Sequence, residues 1–330
     1  MKIAVIGAGG WGTALGAIWS RRHHSIALIG KDAARIQILQ QSGENKTYLP
    51  DVRIPSEISL TSDLESCAEA DLLVFSTPST ALREIIRRLK TVSIKRDAIL
   101  LSCVKGIEHG TGKRMSEILA EDFPDHAIAV LSGPNLAAEV ARELPTATVL
   151  ACKNREVATQ LQQQLSTPRF RIYTGTELVG VELGGALKNV FAIAAGAGDG
   201  LGLGDNSKAA LVTRALAEMV RLGTNMGGEL RTFYGLSGAG DLIATCFSRK
   251  SRNRQVGEYL GEGRSLKEII SSMNTVAEGI PTAQSAYECA RKIGVDTPII
   301  DQVYFLLYQQ KAAAQAMEEL MQREQRAEKA

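Results

Sequence analysis

The stretch Gly7-Ala8-Gly9-Gly10-Trp11-Gly12 decides the fold of this 330-residue chain. It follows a short apolar run at residues 2–6 and precedes a segment with helical periodicity at residues 14–18. A strand, a glycine-rich turn and a helix in this order are typical of the first unit of a dinucleotide-binding fold. We therefore predict that the chain opens with such a fold and binds a dinucleotide at this turn.

Three glycines of this stretch are each required for a different steric reason. Gly7 allows the tight turn after the strand, and Gly9 lets the backbone approach a pyrophosphate. Gly12 lets the helix pack closely on the strand. The start of the helix then offers backbone N–H groups and the positive end of its dipole to the phosphates. The alternative is a glycine turn that serves packing alone.

The first half of the chain alternates short apolar runs with helical patterns. After the run at residues 2–6, candidate strands lie at residues 25–29, 72–76, 98–103, 127–131, 146–151 and 169–173. Helical periodicity separates most of them, for example at residues 80–90 and 155–165. Nearly all-apolar strands that alternate with helices predict a parallel sheet covered on both faces. The expected fold class is therefore α/β, a doubly wound, Rossmann-like sheet.

The second half of the chain is predicted to be helical. Candidate helices lie at residues 177–195, 207–222, 266–272, 282–292 and 303–326. Because chains of this length usually divide their core, we predict a dinucleotide-binding domain at residues 1–176 and an all-helical substrate and catalytic domain at residues 177–330. Met317, Leu320 and Met321 form an apolar face of the last helix, suited to packing or to contact with a second subunit.

Composition excludes several classes of partner. The net charge of +2 and the 5% aromatic content disfavour nucleic-acid binding. Five scattered cysteines without a CxxC pair, and four histidines without ligand spacing, predict neither a disulfide framework nor a metal site. The first apolar run ends too early for a signal peptide, and no run approaches the roughly 18 apolar residues of a membrane span. We expect a cytoplasmic protein without a membrane span.

The choice between NAD and NADP depends on the end of the second strand. An acidic side chain there binds the ribose 2′-hydroxyl, whereas a basic side chain accommodates a 2′-phosphate. The sequence places Lys31 directly after Gly30, and Asp32 is suited to cap the next helix. We predict that the cofactor is NADP or NAD, with NADPH preferred.

Lys188 is the candidate catalytic residue of the helix predicted from residue 177. Gly184 and Ala192 lie one turn before and after it, so small residues share its helix face. A ligand can approach such a lysine closely, and a lysine amine can serve as general acid or base. The alternative is a lysine whose amine extends into solvent, the more common arrangement.

Two neighbouring strands of the predicted sheet end in polar or glycine residues. Lys105 follows the strand at residues 98–103, and Gly133 and Asn135 follow the next strand. The carboxyl ends of parallel strands meet at one edge of the sheet, where ligands bind. Asn135 has the alternative role of capping the helix that follows.

A third cluster combines an acidic residue with a basic segment. Asp241 follows a glycine turn and is placed to hold Lys188 and a substrate hydroxyl. The segment 248–254 carries four cations, and Ser251 is suited to cap a helix whose first N–H groups, with the Arg252 guanidinium, bind a phosphate. The alternatives are a solvated charge run or a nucleic-acid patch, and the lack of aromatics disfavours the latter.

Together these segments resemble the bacterial NAD(P)-dependent sn-glycerol-3-phosphate dehydrogenase family over nearly the whole chain. The matching motifs are GAGGWGTA at 7–14, VKG at 104–106, SGPNLAAEV at 132–140, ELGGALKNVFAIAAGAGDGLGLGDNSKAAL at 182–211, GLSGAGDLIATC at 235–246, SRNRQVG at 251–257 and VAEG at 276–279. The long block around Lys188 is the most specific of them.

The resemblance implies a role for each matching residue. Lys188 would be the proton donor and acceptor. The residues implied to contact the cofactor, in addition to Gly7, Gly9 and Gly12, are Gly10, Trp11, Lys31, Tyr48, Lys105, Ala137, Arg252, Val276 and Glu278. Those implied to hold the substrate are Lys105, Gly133, Asn135, Lys188, Asp241, Ser251, Arg252 and Asn253. Gly10 and Asn135 depart from the common family pattern, which has serine at the first position and serine or threonine at the second.

The activity implied is the interconversion of dihydroxyacetone phosphate and sn-glycerol 3-phosphate, which feeds glycerophospholipid synthesis, in a homodimer. One alternative is a β-hydroxyacid or 6-phosphogluconate-type dehydrogenase, which also joins a dinucleotide domain to a helical domain with a catalytic lysine. A second is a non-catalytic NAD(P)H sensor, which would need the glycine turn but not Lys188, Asp241 and Arg252 together.

Overall fold

The computed structural model describes residues 1–273, 276–324 and 327. The chain forms two compact units. Unit 1 contains residues 1–105 and 114–178, and unit 2 contains residues 106–113 and 179–330. The short segment 106–113 thus belongs to the second unit although the first surrounds it in sequence.

Unit 1 is built on one large sheet and one hairpin. Its strands are β1 Lys2–Ile6, β2 Ser25–Ile29, β3 Glu44–Asn45, β4 Leu49–Arg53, β5 Ser59–Thr61, β6 Leu72–Phe75, β7 Ile99–Ser102, β8 Ile128–Ser132, β9 Thr146–Cys152 and β10 Phe170–Gly175. The large sheet has the order β10-β9-β8-β7-β6-β1-β2-β5, and β3 pairs with β4. The central strands are parallel, with β1 between β2 and β6.

The sheet departs from the predicted all-parallel arrangement at one place. Strand β9 runs antiparallel to β8, although β10 is parallel to β9. The connection at residues 133–145 contains only the short helix Ala137–Ala141. This connection is too short to carry the chain back across the sheet. Strand β9 therefore starts at the edge where β8 ends and runs in the opposite direction.

Both faces of the sheet are covered by helices, as predicted. The helices of unit 1 are α1 Gly10–Ser20, α2 Ala33–Ser42, α3 Leu82–Leu89, α4 Met115–Asp122, α5 Ala137–Ala141 and α6 Arg155–Leu165. Successive residues of one strand enter different cores, since Val5 packs on one side and Ile6 on the other. Together with the helical second unit, this confirms the predicted fold class.

Apart from the segment 106–113, the regular elements of unit 2 in the described residues are helices. Its helices are α7 Leu178–Gly200, α8 Gly204–Asn225, α9 Leu230–Phe233, α10 Asp241–Phe247, α11 Arg252–Gly261, α12 Leu266–Ser272, α13 Gly279–Ile293, α14 Pro298–Tyr308 and α15 Ala313–Met321. A single turn of wider helix at Leu236–Gly240 leads into α10.

The prediction of one helix over residues 303–326 is wrong. The chain forms α14 and α15 instead, and residues 325–326 lie outside the described part. Between the two helices Gln310 takes a left-handed conformation with φ 54°, and the Lys311 N–H donates to the Phe305 carbonyl. One left-handed residue interrupts a helix, and apolar periodicity on both sides of the break did not reveal it.

Helix α7 is the core helix of unit 2. By length and composition it is the one described helix that could cross a membrane, but 89% of its most apolar 18-residue window is buried within the protein. Its residues Leu187, Val190 and Phe191 are fully buried in the hydrophobic core. Burial of this kind is typical of a central core helix.

Glycines bring α7 and α11 into direct backbone contact. A Cβ atom at Gly196 would overlap the carbonyl oxygen of Arg254, and one at Gly257 would overlap that of Ile193. Gly200 faces the Glu258 carbonyl in the same way. The two helices therefore lie as close as their backbones permit.

Candidate active site

The glycine turn of unit 1 has the geometry that its sequence predicts. Gly7 has φ 119°, and a Cβ there would lie 2.7 Å from the Ser76 carbonyl oxygen. A Cβ at Gly12 would overlap the Gly7 carbonyl oxygen and lie 2.5 Å from the Ser76 hydroxyl. A larger residue at Gly12 would push α1 away from the end of β1, and one at Gly7 would clash with Ser76, which follows β6.

Gly9 differs from these two because the space beside it is open. A Cβ at Gly9 would meet no atom within 4 Å. Gly9 is the residue before α1, and the first turn of that helix carries no acidic side chain. The first N–H groups of a helix have no intrahelical acceptor and favour an anion. The pyrophosphate of a dinucleotide fits this open, electropositive corner.

The β3–β4 hairpin borders the same turn. The buried Asn45 side chain donates to the Ala8 carbonyl at 3.1 Å and to the Thr13 hydroxyl at 2.8 Å. Its Oδ1 atom accepts from Arg35 at 3.1 Å, and the Arg35 guanidinium lies 3.6 Å from the centre of the Tyr48 ring. Sequence reasoning missed Asn45 and Arg35, since neither belongs to a recognisable motif.

Gly10 also lies against this hairpin. A Cβ at Gly10 would lie 2.6 Å from the Tyr48 carbonyl oxygen. The glycine therefore lets the hairpin approach the start of α1 more closely than the serine of the common family pattern would.

Three further cofactor candidates lie near the turn, with different surroundings. Lys31 is exposed at the carboxyl end of β2, and Asp32 caps α2 by accepting from the Ala34 N–H at 2.9 Å. The Trp11 ring packs 6.4 Å from the Phe170 ring, inside unit 1. The Trp11 side chain is half-buried. Ala137 begins α5 and packs with Trp11 in the small core beside the hairpin.

The carboxyl ends of β7 and β8 bring together Lys105 and Gly133. The Lys105 ammonium donates to the Gly133 carbonyl at 3.1 Å. Asn135 does not cap the following helix, because its side-chain amide donates to the Thr148 hydroxyl at 2.9 Å. The buried Asn135 Oδ1 has no hydrogen-bond partner within the described residues, so it retains an acceptor.

In unit 2, α7 and α10 bring Lys188 and Asp241 together. The Lys188 ammonium lies 2.9 Å from Asp241 Oδ1 and 2.7 Å from the Thr245 hydroxyl, to which it donates. The side chains of Lys188 and Asp241 are only 10% and 3% exposed. Burial of a charged pair requires close partners, and Thr245 also donates to Asp241 at 3.2 Å. Lys188 is therefore held in one place by two groups.

Gly184 makes room for the backbone before α10, whereas the small-residue pattern predicts room for a ligand. A Cβ at Gly184 would lie 2.7 Å from the Ser237 carbonyl oxygen. The glycine turn before α10 therefore rests directly on α7, which places Asp241 opposite Lys188.

The basic segment forms the start of α11. Ser251 caps this helix, since its hydroxyl accepts from the Arg254 N–H at 3.3 Å. Arg252 is exposed and donates to the Val276 carbonyl at 3.0 Å. Asn253 is buried, donates to Asn189 Oδ1 at 2.8 Å and accepts from the Gly279 N–H at 2.9 Å. Glu278 directly precedes α13, beside that N–H group.

Two residues near Lys188 were not predicted from the sequence. Thr245 lies four residues after Asp241, so the helical period alone places both on one face of α10. Asn189 is adjacent to Lys188 in sequence and contacts Asn253, but only the tertiary structure reveals that contact.

Comparison with known proteins identifies the family. The model for the N-terminus of NAD-dependent glycerol-3-phosphate dehydrogenase matches residues 2–158, and the model for its C-terminus matches residues 177–318. The chain belongs to the NAD-dependent glycerol-3-phosphate dehydrogenase family. The predicted resemblance is confirmed, and the enzyme class and nicotinamide cofactor are confirmed at the level of this family.

Individual relatives match this chain over nearly its full length. The chain is 44% identical over 322 residues to glycerol-3-phosphate dehydrogenase [NAD(P)+] of Desulfitobacterium hafniense, covering 98% of this chain and 91% of that protein. It is 46% identical to the enzyme of the same name from Syntrophotalea carbinolica, covering 99% of both chains. The crystal structure of glycerol-3-phosphate dehydrogenase from Coxiella burnetii has a TM-score of 0.94 at 37% identity, covering 98% of this chain and 99% of that one.

Proposed function

We propose that this member of the glycerol-3-phosphate dehydrogenase family reduces dihydroxyacetone phosphate to sn-glycerol 3-phosphate, with NADPH preferred over NADH. The observation that carries the proposal is the buried Lys188, held between Asp241 and Thr245. A buried, positioned ammonium group is suited to deliver a proton to a carbonyl oxygen as negative charge develops there.

The cofactor part of the proposal rests on unit 1. Gly9 and the start of α1 would hold the pyrophosphate, and Lys31 at the end of β2 would meet the 2′-phosphate of NADP. Tyr48, Lys105 and Ala137 remain proposed cofactor contacts. When bound, the reduced nicotinamide supplies the hydride that the reaction requires.

The substrate part rests mainly on the start of α11. Ser251, Arg252 and Asn253 would bind the phosphate through the first N–H groups of the helix and the Arg252 guanidinium. Asp241 would orient Lys188, and Lys105 would stabilise the developing oxyanion. Gly133, Asn135, Val276 and Glu278 remain proposed contacts of substrate or cofactor.

Three wider statements belong to the same proposal. The protein would act in the cytoplasm, as a homodimer, and its product would supply glycerophospholipid synthesis. The apolar residues of α15 include Leu320, which packs against the core, and Met321, which is 72% exposed and available to a second subunit.

The test is the oxidation of NADPH, and of NADH in parallel, when purified protein meets dihydroxyacetone phosphate. Small 2-oxo and 3-oxo acids serve as alternative substrates. We expect rapid oxidation with dihydroxyacetone phosphate alone, and faster oxidation of NADPH than of NADH. Turnover of an oxo acid in place of the triose phosphate would overturn the proposal.

A further inference from the structure

Asp199, near the end of α7, joins three helices of unit 2. Its Oδ2 atom accepts from the Arg254 Nε–H at 2.6 Å, and both of its oxygens accept from Lys208, at 2.7 and 3.0 Å. Arg254 belongs to α11 and Lys208 to α8. The side chains of Arg254 and Lys208 are only 6% and 11% exposed, so the carboxylate pairs with two cations that have little access to water.

Asp199 and Lys188 lie on the same face of α7. They are separated by about three helical turns, which rotates one relative to the other by only about 20°. Lys188 contacts α10, and Asp199 contacts α11. One face of a single rigid helix therefore carries both the proposed proton donor and the anchor of the phosphate-binding helix.

The contact between α7 and α11 needs such an anchor. Glycines at positions 196 and 257 bring the two backbones together, but they offer no side chains that interlock. Interlocking side chains normally fix how far one helix is displaced along another. Here the polar pairs Asn189–Asn253 and Asp199–Arg254 supply that restraint, because both start from the first turn of α11 and reach α7 ten residues apart.

We infer that Asp199 is a positioning residue that fixes the register of α11 on α7. In doing so it sets the distance between the Lys188 ammonium and the phosphate-binding residues Ser251, Arg252 and Asn253. The register thereby selects a substrate whose carbonyl and phosphate are separated as in a triose phosphate. This inference rests on the proposed function, because it assumes that α11 binds the substrate phosphate.

Glu258 provides a matched control. It accepts from the Arg254 guanidinium at 3.0 and 3.3 Å, as Asp199 does from the Nε–H. However, Glu258 and Arg254 are four residues apart on the same helix, so their contact does not connect α11 to α7. Asp199→Asn and Glu258→Gln each remove one negative charge beside Arg254, and only the first weakens a link between helices.

The experiment compares two substrates in each variant: dihydroxyacetone phosphate, and dihydroxyacetone, which lacks the phosphate. The measured quantity is the ratio of their kcat/KM values. In Asp199→Asn we expect this ratio to fall about tenfold to a hundredfold, since a misplacement of about 1 Å can cost a hundredfold. The kcat/KM for dihydroxyacetone should stay within about twofold, because no phosphate has to be aligned. Glu258→Gln should leave both values within about twofold.

Three results would overturn the inference: an unchanged ratio in Asp199→Asn, equal losses for both substrates, or an equal fall of the ratio in Glu258→Gln. If Asp199→Asn does not fold, Arg254→Lys is the second variant, because it retains the charge without the planar guanidinium. It should lower the same ratio, and an unchanged ratio would contradict the inference. A wild-type protein without preference for the phosphorylated substrate would instead contradict the proposed function, so the two failures are distinguishable.

Discussion

The residues proposed to bind ligands differ in kind between the two units. In unit 1 the turn at Gly7, Gly9 and Gly12 offers backbone, and its value depends on the absence of side chains. In unit 2 the proposed catalytic cluster consists of side chains, with Lys188 held by Asp241 and Thr245. The glycine turn of unit 1 is therefore damaged by added atoms, whereas the Lys188 cluster of unit 2 is damaged by removed ones.

The same contrast appears between glycines. Gly9 borders open space, whereas Gly196 and Gly257 are filled by the backbone of a facing helix. A glycine in the sequence does not by itself indicate a ligand. The space beside its Cα atom decides whether it serves binding or packing.

The largest expected effect follows from removing the Lys188 side chain. Lys188→Ala should lower kcat about a hundredfold to ten-thousandfold, because acid–base catalysis contributes that much. Steady-state kinetics with dihydroxyacetone phosphate measures the loss, and titration with NADPH should give a nearly unchanged Kd. Near-normal turnover in this variant would remove Lys188 from the proton-transfer role.

Two glycine substitutions in the turn of unit 1 should have different effects, one on cofactor binding and the other on stability. Gly9→Ala should fold normally but weaken NADPH binding about tenfold or more, because its methyl group enters space proposed for the pyrophosphate. Gly12→Ala should lower the free energy of unfolding by about 1 to 3 kcal/mol, because its methyl group meets the Gly7 carbonyl. Urea unfolding and NADPH titration of both variants separate the effects. Equal losses of stability would contradict the distinction.

Removal of one guanidinium from α11 should weaken substrate binding without abolishing catalysis. Arg252→Ala should raise the KM for dihydroxyacetone phosphate about tenfold to a hundredfold, the value of one charged hydrogen bond. Arg249→Ala removes the same charge from an exposed position of the same segment and is the control. An unchanged KM in Arg252→Ala, or an equal rise in the control, would exclude the phosphate role.

The smallest predicted effect concerns pH and a buried carboxyl of unit 2. Glu218 is 1% exposed and accepts from the Ile299 and Ile300 N–H groups at the start of α14. Burial raises its pKa from 4.5 to about 7 in the folded protein. Its stabilising contribution is therefore complete below pH 4.5 and is lost as the pH rises through about 7.

Glu218→Gln removes this titration. The wild-type protein should exceed the variant in free energy of unfolding by more at pH 5 than at pH 7.5, as urea unfolding at both values would measure. A constant difference between the two proteins would contradict the raised pKa.

Much of the fold follows from local sequence, and much of the site does not. Apolar strands and the glycine turn predict the sheet because their periodicity is short and regular. The reversal of β9, the break at Gln310 and the buried Asn45 depend on contacts between distant segments. Among the functional neighbours, Thr245 follows from helical spacing, whereas Asp199 acquires its partners only when α8 and α11 pack on α7.

The most direct test of the central claim is to follow a deuterium atom from NADPH that carries it on the side of C4 from which the hydride leaves, a side identified by testing both C4 epimers. Wild-type protein and dihydroxyacetone phosphate are incubated with this cofactor, and the product is analysed by NMR and mass spectrometry. We predict sn-glycerol 3-phosphate with one deuterium at C2 for each NADPH oxidised. Bound NADPH that is not consumed, or deuterium in any other product, would contradict the proposed reaction.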